Sequence, residues 1–245
     1  MGRPLESCMK KTVVAGQPCS QPCVDCTVRP YAICAALEPA ELCELEQLGQ
    51  RLQYRPNEPV FTQQEVATSC YNVLEGVMRL YKLLPDGRRQ IVGFALPGDF
   101  LGIAVNGRHG ISADAVGPVV VCRFIKKSFS RFVEDRPNLL RRINEFVARD
   151  LTEAQEQMVL LGRRSAEEKV ATFLVKWRDR LARTGPATAI TPLPMSRLDI
   201  ADYLGLTIET VSRTFTKLER DGVIDIINGG IRLTDPVRAE ALAAA

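Results

Sequence analysis

Leu140, Ile143, Val147, Leu151, Ala154, Met158 and Leu161 recur at steps of three and four. Only a long α-helix puts residues at that spacing on one side. Pro137 sits near its start, where proline is tolerated. A seam sustained over about three heptads is the pattern of two helices packing along each other. Arg141, Arg142, Asn144, Arg149 and Glu153 lie between its members and are polar. The expectation is therefore a homodimer, with Leu140, Ile143, Val147, Leu151, Ala154 and Met158 at the interface.

The helix divides a chain whose two sides differ in texture. A chain of 245 residues suits two domains, and 46% apolar with 25% charged residues can build their cores. Residues 1–18 are polar and aperiodic and read as a mobile leader. Glu38-Pro39-Ala40-Glu41 then opens a helical pattern in which Leu42, Leu45, Leu48 and Leu52 recur. From about Tyr54 to Phe124, short β-type runs (Val60-Phe61, Tyr71 to Leu74, Val77 to Leu83, Gln90 to Phe94, Val119 to Ile125) alternate with turn signals such as Glu75-Gly76 and Pro85-Asp86-Gly87. This predicts a compact antiparallel barrel or roll. Beyond the long helix, a second runs from about Ala166 to Arg183, followed by a Pro-, Thr- and Ala-rich link from Thr184 to Pro194.

Leu198 to Leu218 carries a helix-turn-helix pattern. Ala201 is small where two helices must approach, Gly205 can end the first helix in the left-handed conformation, and Thr207 caps the second. Ile208, Val211, Phe215 and Leu218 form the core-facing side of that second helix, and Glu209, Ser212 and Arg213 lie on another face near its N-terminal end. A recognition helix presents base-reading side chains there. Arginine suits guanine O6 and N7, and glutamate accepts from cytosine N4. Thr207, Thr210 and Lys217 suit backbone contacts, which position without specifying. Val223 to Ile227 and Ile231 to Leu233 flank Asn228-Gly229-Gly230, a hairpin signal that would form a wing. The partner implied is double-stranded DNA. Net charge is only +3 and says little about partners. Arg163, Arg164, Lys169, Lys176, Arg178, Arg180 and Arg183 precede the motif and read as solvated helix faces unless the DNA motif recruits them.

No apolar run reaches the length of a membrane span, and Met1 to Gln17 lacks the apolar block of a signal peptide, so a cytoplasmic protein with no membrane partner is expected. Eight cysteines in such a compartment argue against a disulfide scaffold. Cys19, Cys23, Cys26 and Cys34 crowd together, a density that calls for a ligand. Cys43 and Cys70 read as buried small hydrophobes. There is no Gly-rich nucleotide loop and no Ser/His/Asp set. The one histidine, His109, sits in Asn106-Gly107-Arg108-His109-Gly110, a loop composition that suggests a solvated side chain. An enzyme is not expected.

With these parts in order, the chain resembles the Crp/Fnr superfamily of bacterial regulators over nearly its whole length. Gly205-Leu206-Thr207-Ile208-Glu209-Thr210-Val211-Ser212-Arg213 looks like the Fnr branch, whose recognition helix carries Glu-x-x-Ser-Arg; Phe94, Gly98-Asp99, Leu101-Gly102 and Ala166-Glu167-Glu168 also match. The resemblance implies an α+β chain: a cysteine-rich segment (1–36), a cyclic-nucleotide-binding-like β-roll sensor domain (37–135), a dimerisation helix (136–165) and a winged helix-turn-helix (166–245). Oxygen-sensing members of that branch hold a [4Fe–4S] cluster with three N-terminal cysteines and one distant cysteine. Cys23, Cys26 and Cys34 form a C-x2-C-x7-C set, and Cys122 sits where the distant ligand belongs. The interval to Cys34 is longer than in the best-known members and resembles the FixK/FnrN-type branch. A four-cysteine zinc site and a thiol/disulfide switch use the same ligand types and stay open, and Cys19 offers a substitute ligand. The resemblance further implies a palindromic site, binding promoted at low oxygen, and RNA polymerase contact through loops such as Leu84 to Arg89. Cyclic nucleotide is not expected as a ligand, because Arg108-His109-Gly110-Ile111-Ser112 lacks the Arg-Ser/Thr pair that holds its phosphate.

Overall fold

The computed structural model describes residues 3–4, 23–104, 107–185 and 189–244. Cys8, Cys19, most of the leader and Asn106 lie outside the described residues. Two compact units emerge. One takes in the chain to Leu80 together with Ala95–Arg149, the other Tyr81–Phe94 together with Asp150–Ala245.

In chain order the elements before the long helix are β1 (Arg3–Pro4), a 3-10 turn (Ile33–Ala36), α1 (Pro39–Leu48), β2 (Gly49–Tyr54), β3 (Pro59–Phe61), β4 (Ser69–Glu75), β5 (Met78–Leu83), β6 (Arg89–Ala95), β7 (Phe100–Leu101), β8 (Ser112–Ala115), β9 (Val119–Ile125) and α2 (Lys126–Glu134). A five-stranded sheet has the order β1-β2-β9-β4-β7 and a four-stranded sheet the order β3-β8-β5-β6. This is the expected β-roll. The helical pattern expected through Leu52 stops four residues short of it. Leu52 is buried in β2 and pairs with Val121, within a register running from Gly49↔Phe124 to Tyr54↔Val119. Gly49 lets the Phe124 ring lie close against the start of β2, because a Cβ there would stand 2.9 Å from it. Strands β2 and β8 and helix α2 were not legible from periodicity.

Alternation along β4 and β9 gives the first unit two cores. Tyr71, Val73, Val119 and Val121 point into the roll with Leu52, Phe61, Met78 and Ala113. Cys70 and Phe124 point the other way, into a second cluster with Ile33, Leu42, Phe100, Phe129, Leu139 and Phe146. Full burial of such side chains stabilises by about 1.5–3 kcal/mol each.

α3 (Pro137–Arg163) is followed in the second unit by α4 (Ala166–Thr184), β10 (Thr191–Pro192), α5 (Arg197–Leu204), α6 (Ile208–Arg220), β11 (Ile224–Ile227), β12 (Gly230–Leu233) and α7 (Pro236–Ala244). Ser165 and Glu168 cap α4 reciprocally, and Ser196 and Asp199 do the same for α5. Gly205 ends α5 at φ 61°, and Leu206 leads into α6. The wing is β11 paired with β12, but β12 also pairs with β10, so the stretch read as a link supplies a third strand. Gly230 permits it: a Cβ there would lie 2.3 Å from the Thr191 carbonyl oxygen. Trp177 donates from its indole nitrogen to the Pro192 carbonyl (2.8 Å).

The β5–β6 tip is anchored within the same unit. Arg89 donates to Asp199 Oδ1 (2.7 Å) and to Asp202 Oδ2 through both Nη2 and Nε (2.7 and 2.9 Å). Gln90 donates to the Asp202 carbonyl. Phe94 packs on Trp177, Tyr203 and Phe173, with ring centroids 5.6–6.4 Å apart. Several of the basic residues expected to be solvated are instead engaged: Lys176 pairs with Glu156, Arg178 with Asp179 and Glu240, and Arg164 donates to Thr172. Among the described residues no helix is long and apolar enough to cross a membrane.

Candidate nucleic-acid interface and thiol cluster

α6 has two chemically distinct faces. Val211, Phe215 and Leu218 are buried, whereas Ile208, at 39% exposed, only half joins them. Glu209, Ser212 and Arg213 are exposed as expected, and Thr216 continues the same polar face. Thr216 was legible from its spacing to Ser212, whose carbonyl its hydroxyl donates to (3.2 Å). Thr207 Oγ1 accepts from the Thr210 N–H (3.2 Å) and lies 3.0 Å from Thr210 Oγ1, so both threonines build the helix start they adorn. Bonds near the helix N-terminus, including one with Thr207, and the Arg213 charge lower the Glu209 carboxyl below the usual carboxylate range. An ionised acceptor therefore stands beside Arg213. Lys217, expected at DNA backbone, pairs with Glu167 of α4. Such a half-exposed pair is weak enough to be exchanged for a phosphate. Arg197, at the start of α5, stacks its guanidinium 3.3 Å over the Phe215 ring and fastens α5 to α6.

In the first unit, Cys23, Cys34 and Cys122 pack against one apolar cluster, and Cys26 stands near enough to raise the thiols of all three. Burial, first, and the neighbouring thiols, second, push the Cys34 thiol up to about 12. Cys122 is likewise pushed to about 12 by burial and then by Cys23, with Cys26 and Cys34 adding to it, and Cys23 to about 11 by burial, then Glu46 and Cys26. Cys23, Cys26 and Cys34 each raise a neighbouring thiol, so burial together with the mutual proximity of these groups disfavours their thiolate forms. Cys122 stands on β9 between Arg51 of β2 and Asn72 of β4. The Asn72 amide donates to Cys34 Sγ (3.9 Å), while its buried Oδ1 finds no partner. Asn72 is a polar residue between Tyr71 and Val73 in the middle of β4, which was its signal in the sequence. Among the described residues no group of three or more His, Cys, Asp or Glu side chains is placed to hold a metal ion as it stands. Cys70 is buried, as expected. Cys43 is not a buried hydrophobe: it is half-buried and disulfide-bonded.

α3 borders this neighbourhood. Leu139 and Phe146 are buried in the cluster that Cys23, Cys34 and Cys122 pack against, and Ile143 joins them there. Ile143, expected in the dimer seam, is thus turned toward its own domain, because Leu139, Ile143 and Phe146 form a second helical stripe. Arg142 Nη2 donates to the Tyr31 carbonyl (3.5 Å) within the cysteine segment. Leu140, Val147, Leu151, Ala154 and Met158 are exposed on the single chain.

His109 is not a solvated loop side chain. It is buried, stacked 4.1 Å from Phe61, and burial lowers its pKa. Nearby, Arg108 donates to the Gln64 carbonyl, and Ser112 Oγ accepts from the Gln63 N–H.

Comparison with known proteins agrees with this layout. The model described as "Bacterial regulatory proteins, crp family" matches residues 193–224, and that described as "Cyclic nucleotide-binding domain" matches 51–136. The chain is 64% identical over 237 residues to the nitrogen fixation regulation protein FixK of Bradyrhizobium diazoefficiens, covering 97% of this chain and 100% of the relative. It is 60% identical to the transcriptional activatory protein AadR of Rhodopseudomonas palustris, over 90% of this chain and 92% of that one. Its fold is similar to the solved structure of FixK2 from Bradyrhizobium japonicum, with TM-score 0.75 and 37% identity over 80% of this chain and 98% of that one. These relatives are transcription regulators, not enzymes. A β-roll, a long helix and a winged helix whose polar face carries Glu209, Ser212 and Arg213 place the chain in the Crp/Fnr family of DNA-binding transcription regulators.

Proposed function

We propose that this regulator is an activator that responds to oxygen through a [4Fe–4S] cluster held by Cys23, Cys26, Cys34 and Cys122. The observation that carries the reading is the shared core: three of the four cysteines pack against the same side chains that bury Leu139 and Phe146 of α3. The donor set fits by its chemistry, since iron–sulfur clusters take four thiolates and these cysteines supply four sulfurs. Bound there, the cluster would supply an oxygen-labile anchor for the cysteine segment. Ile33 and the Tyr31 carbonyl, from that segment, would then hold Leu139 and Arg142 in place. The outward stripe of α3 would thereby be presented to a second copy.

Regulators of this family bind DNA and act as dimers. Dimerisation sets two recognition helices about one DNA turn apart, so the target is a palindrome. Glu209, Ser212 and Arg213 read bases, Thr207, Thr210 and Lys217 reach the backbone, and low oxygen favours the bound state. The names of relatives, among them the transcriptional activator protein FnrL of Cereibacter sphaeroides, support activation. The exposed tip, with Leu84 and the Asp86–Arg88 pair, suits contact with RNA polymerase, whereas Arg89 is committed to Asp199 and Asp202. Such a regulator works in the cytoplasm.

The test is purification without oxygen, with iron, acid-labile sulfide and zinc assayed and the visible spectrum followed as air enters. About four irons and four sulfides per chain, bleaching in air and lost in Cys122→Ser, is the expected result. Zinc alone, or a Cys122→Ser spectrum that remains oxygen-labile, would overturn the cluster. A metal-free protein whose DNA binding responds reversibly to dithiothreitol would instead favour a thiol/disulfide switch.

A further inference from the structure

The exposed stripe of α3 has a regular spacing once Ile143 is assigned to the core. Residues 140, 144, 147, 151, 154 and 158 alternate steps of four and three, as a heptad seam requires. Leu140, Val147, Leu151 and Met158 are 48%, 44%, 58% and 67% exposed, and Ala154 is exposed with them. Asn144 is also exposed and is the one polar residue in that series. The charged groups beside it are engaged along their own helix, Arg141 with Asn138 and Arg142 with Glu145. They leave Asn144 as the polar group offered to a partner.

We infer that Asn144 sets the orientation and register of the dimer seam against a second copy of this chain, and keeps that dimer weak enough to be switched. The inference rests on the dimer reading given above. In a parallel, in-register pair about a two-fold axis, each Asn144 meets its own counterpart, and each amide can donate to and accept from the other. In an antiparallel pair, or one slipped by half a heptad, Asn144 faces leucine, valine or methionine, and its amide is buried without a partner. Only the parallel pair puts both recognition helices at one end, where a single palindrome can reach them. The same amide stabilises the dimer less than an apolar residue would. The seam thus trades strength for a unique arrangement and for an equilibrium that can respond.

Sedimentation equilibrium of the metal-free, full-length protein tests this. Asn144→Leu should tighten the dimer at least about tenfold, or about 1.4 kcal/mol. Asn144→Asp, which opposes two carboxylates, should loosen it. Leu151→Ala, which removes a seam side chain without touching the amide, should also loosen it. Because Asn144 is exposed on the single chain, the variants should retain wild-type circular dichroism. A dimer unchanged or weakened by Asn144→Leu, while Leu151→Ala loosens it, overturns the role of Asn144 alone. A dimer indifferent to Leu151→Ala overturns the seam, and the inference falls with it.

Discussion

Replacing Arg89 with alanine should weaken the second unit by about 2–3 kcal/mol. Arg89 is the cation for two carboxylates, and the Asp199 side chain is only 4% exposed. Asp199 Oδ2 would keep its bonds from the Ser196 N–H and hydroxyl, but Oδ1 would lose the Arg89 guanidinium. Breaking a fully buried pair costs about 3–5 kcal/mol. The Arg89 side chain is 24% exposed and Asp202 22%, so water recovers part of that loss and brings it to about 2–3 kcal/mol. The assay is built into the chain. Trp177 is its single tryptophan, buried against Phe94 and Phe173, so its fluorescence reports this unit. With a urea dependence of about 2–3 kcal/mol per molar, the unfolding midpoint should fall by roughly 1 M. In a double-mutant cycle with Asp202→Asn, the two changes should cost less together than the sum of each alone. A midpoint that moves by less than about 0.2 M, or strict additivity in the cycle, would refute the claim that the β5–β6 tip is fastened to α5 by this cation.

Two further outcomes follow from the sites. Arg213→Ala should cost about 1–3 kcal/mol on a palindromic site and relax discrimination, read by fluorescence anisotropy against a scrambled duplex; equal weakening on both would mark Arg213 as a phosphate contact. His109 should make the first unit lose stability on acidification. Burial disfavours its charged form, so its folded pKa lies below the usual 6.5. As pH falls through about 6.5 the unfolded chain takes up a proton that the folded one refuses, and the loss continues until the folded pKa is reached. Thermal unfolding between about pH 6.5 and 5 should therefore show a steeper fall for wild type than for His109→Asn; identical slopes would contradict the burial argument.

The parts that were legible beforehand owe it to strong local rules. Gly205 and Thr207 bracket a turn that few other residue pairs can make, and the roll's strands are separated by turn residues. What stayed hidden depended on tertiary choice. Leu52 fits a helix by spacing and a strand by pairing, and β9 decides. Ile143 and Asn144 adjoin on one helix with apolar stripes on two sides, and periodicity alone does not say which stripe meets its own domain. His109 lies in a Gly-rich loop, and only the fold brings it onto Phe61. The expectation that Cys122 joins Cys23, Cys26 and Cys34 came from the family resemblance alone, because their separation along the chain carries no distance.

The alternation along β9 has an evolutionary reading. Val119 and Val121 belong to the interior of the roll, while Cys122 and Phe124 belong to the opposite side of the same strand. A lineage can exchange the chemistry on the outer side and leave the inner side, and so the architecture, untouched. A fold divided in this way can change the signal it answers to without relearning how to fold.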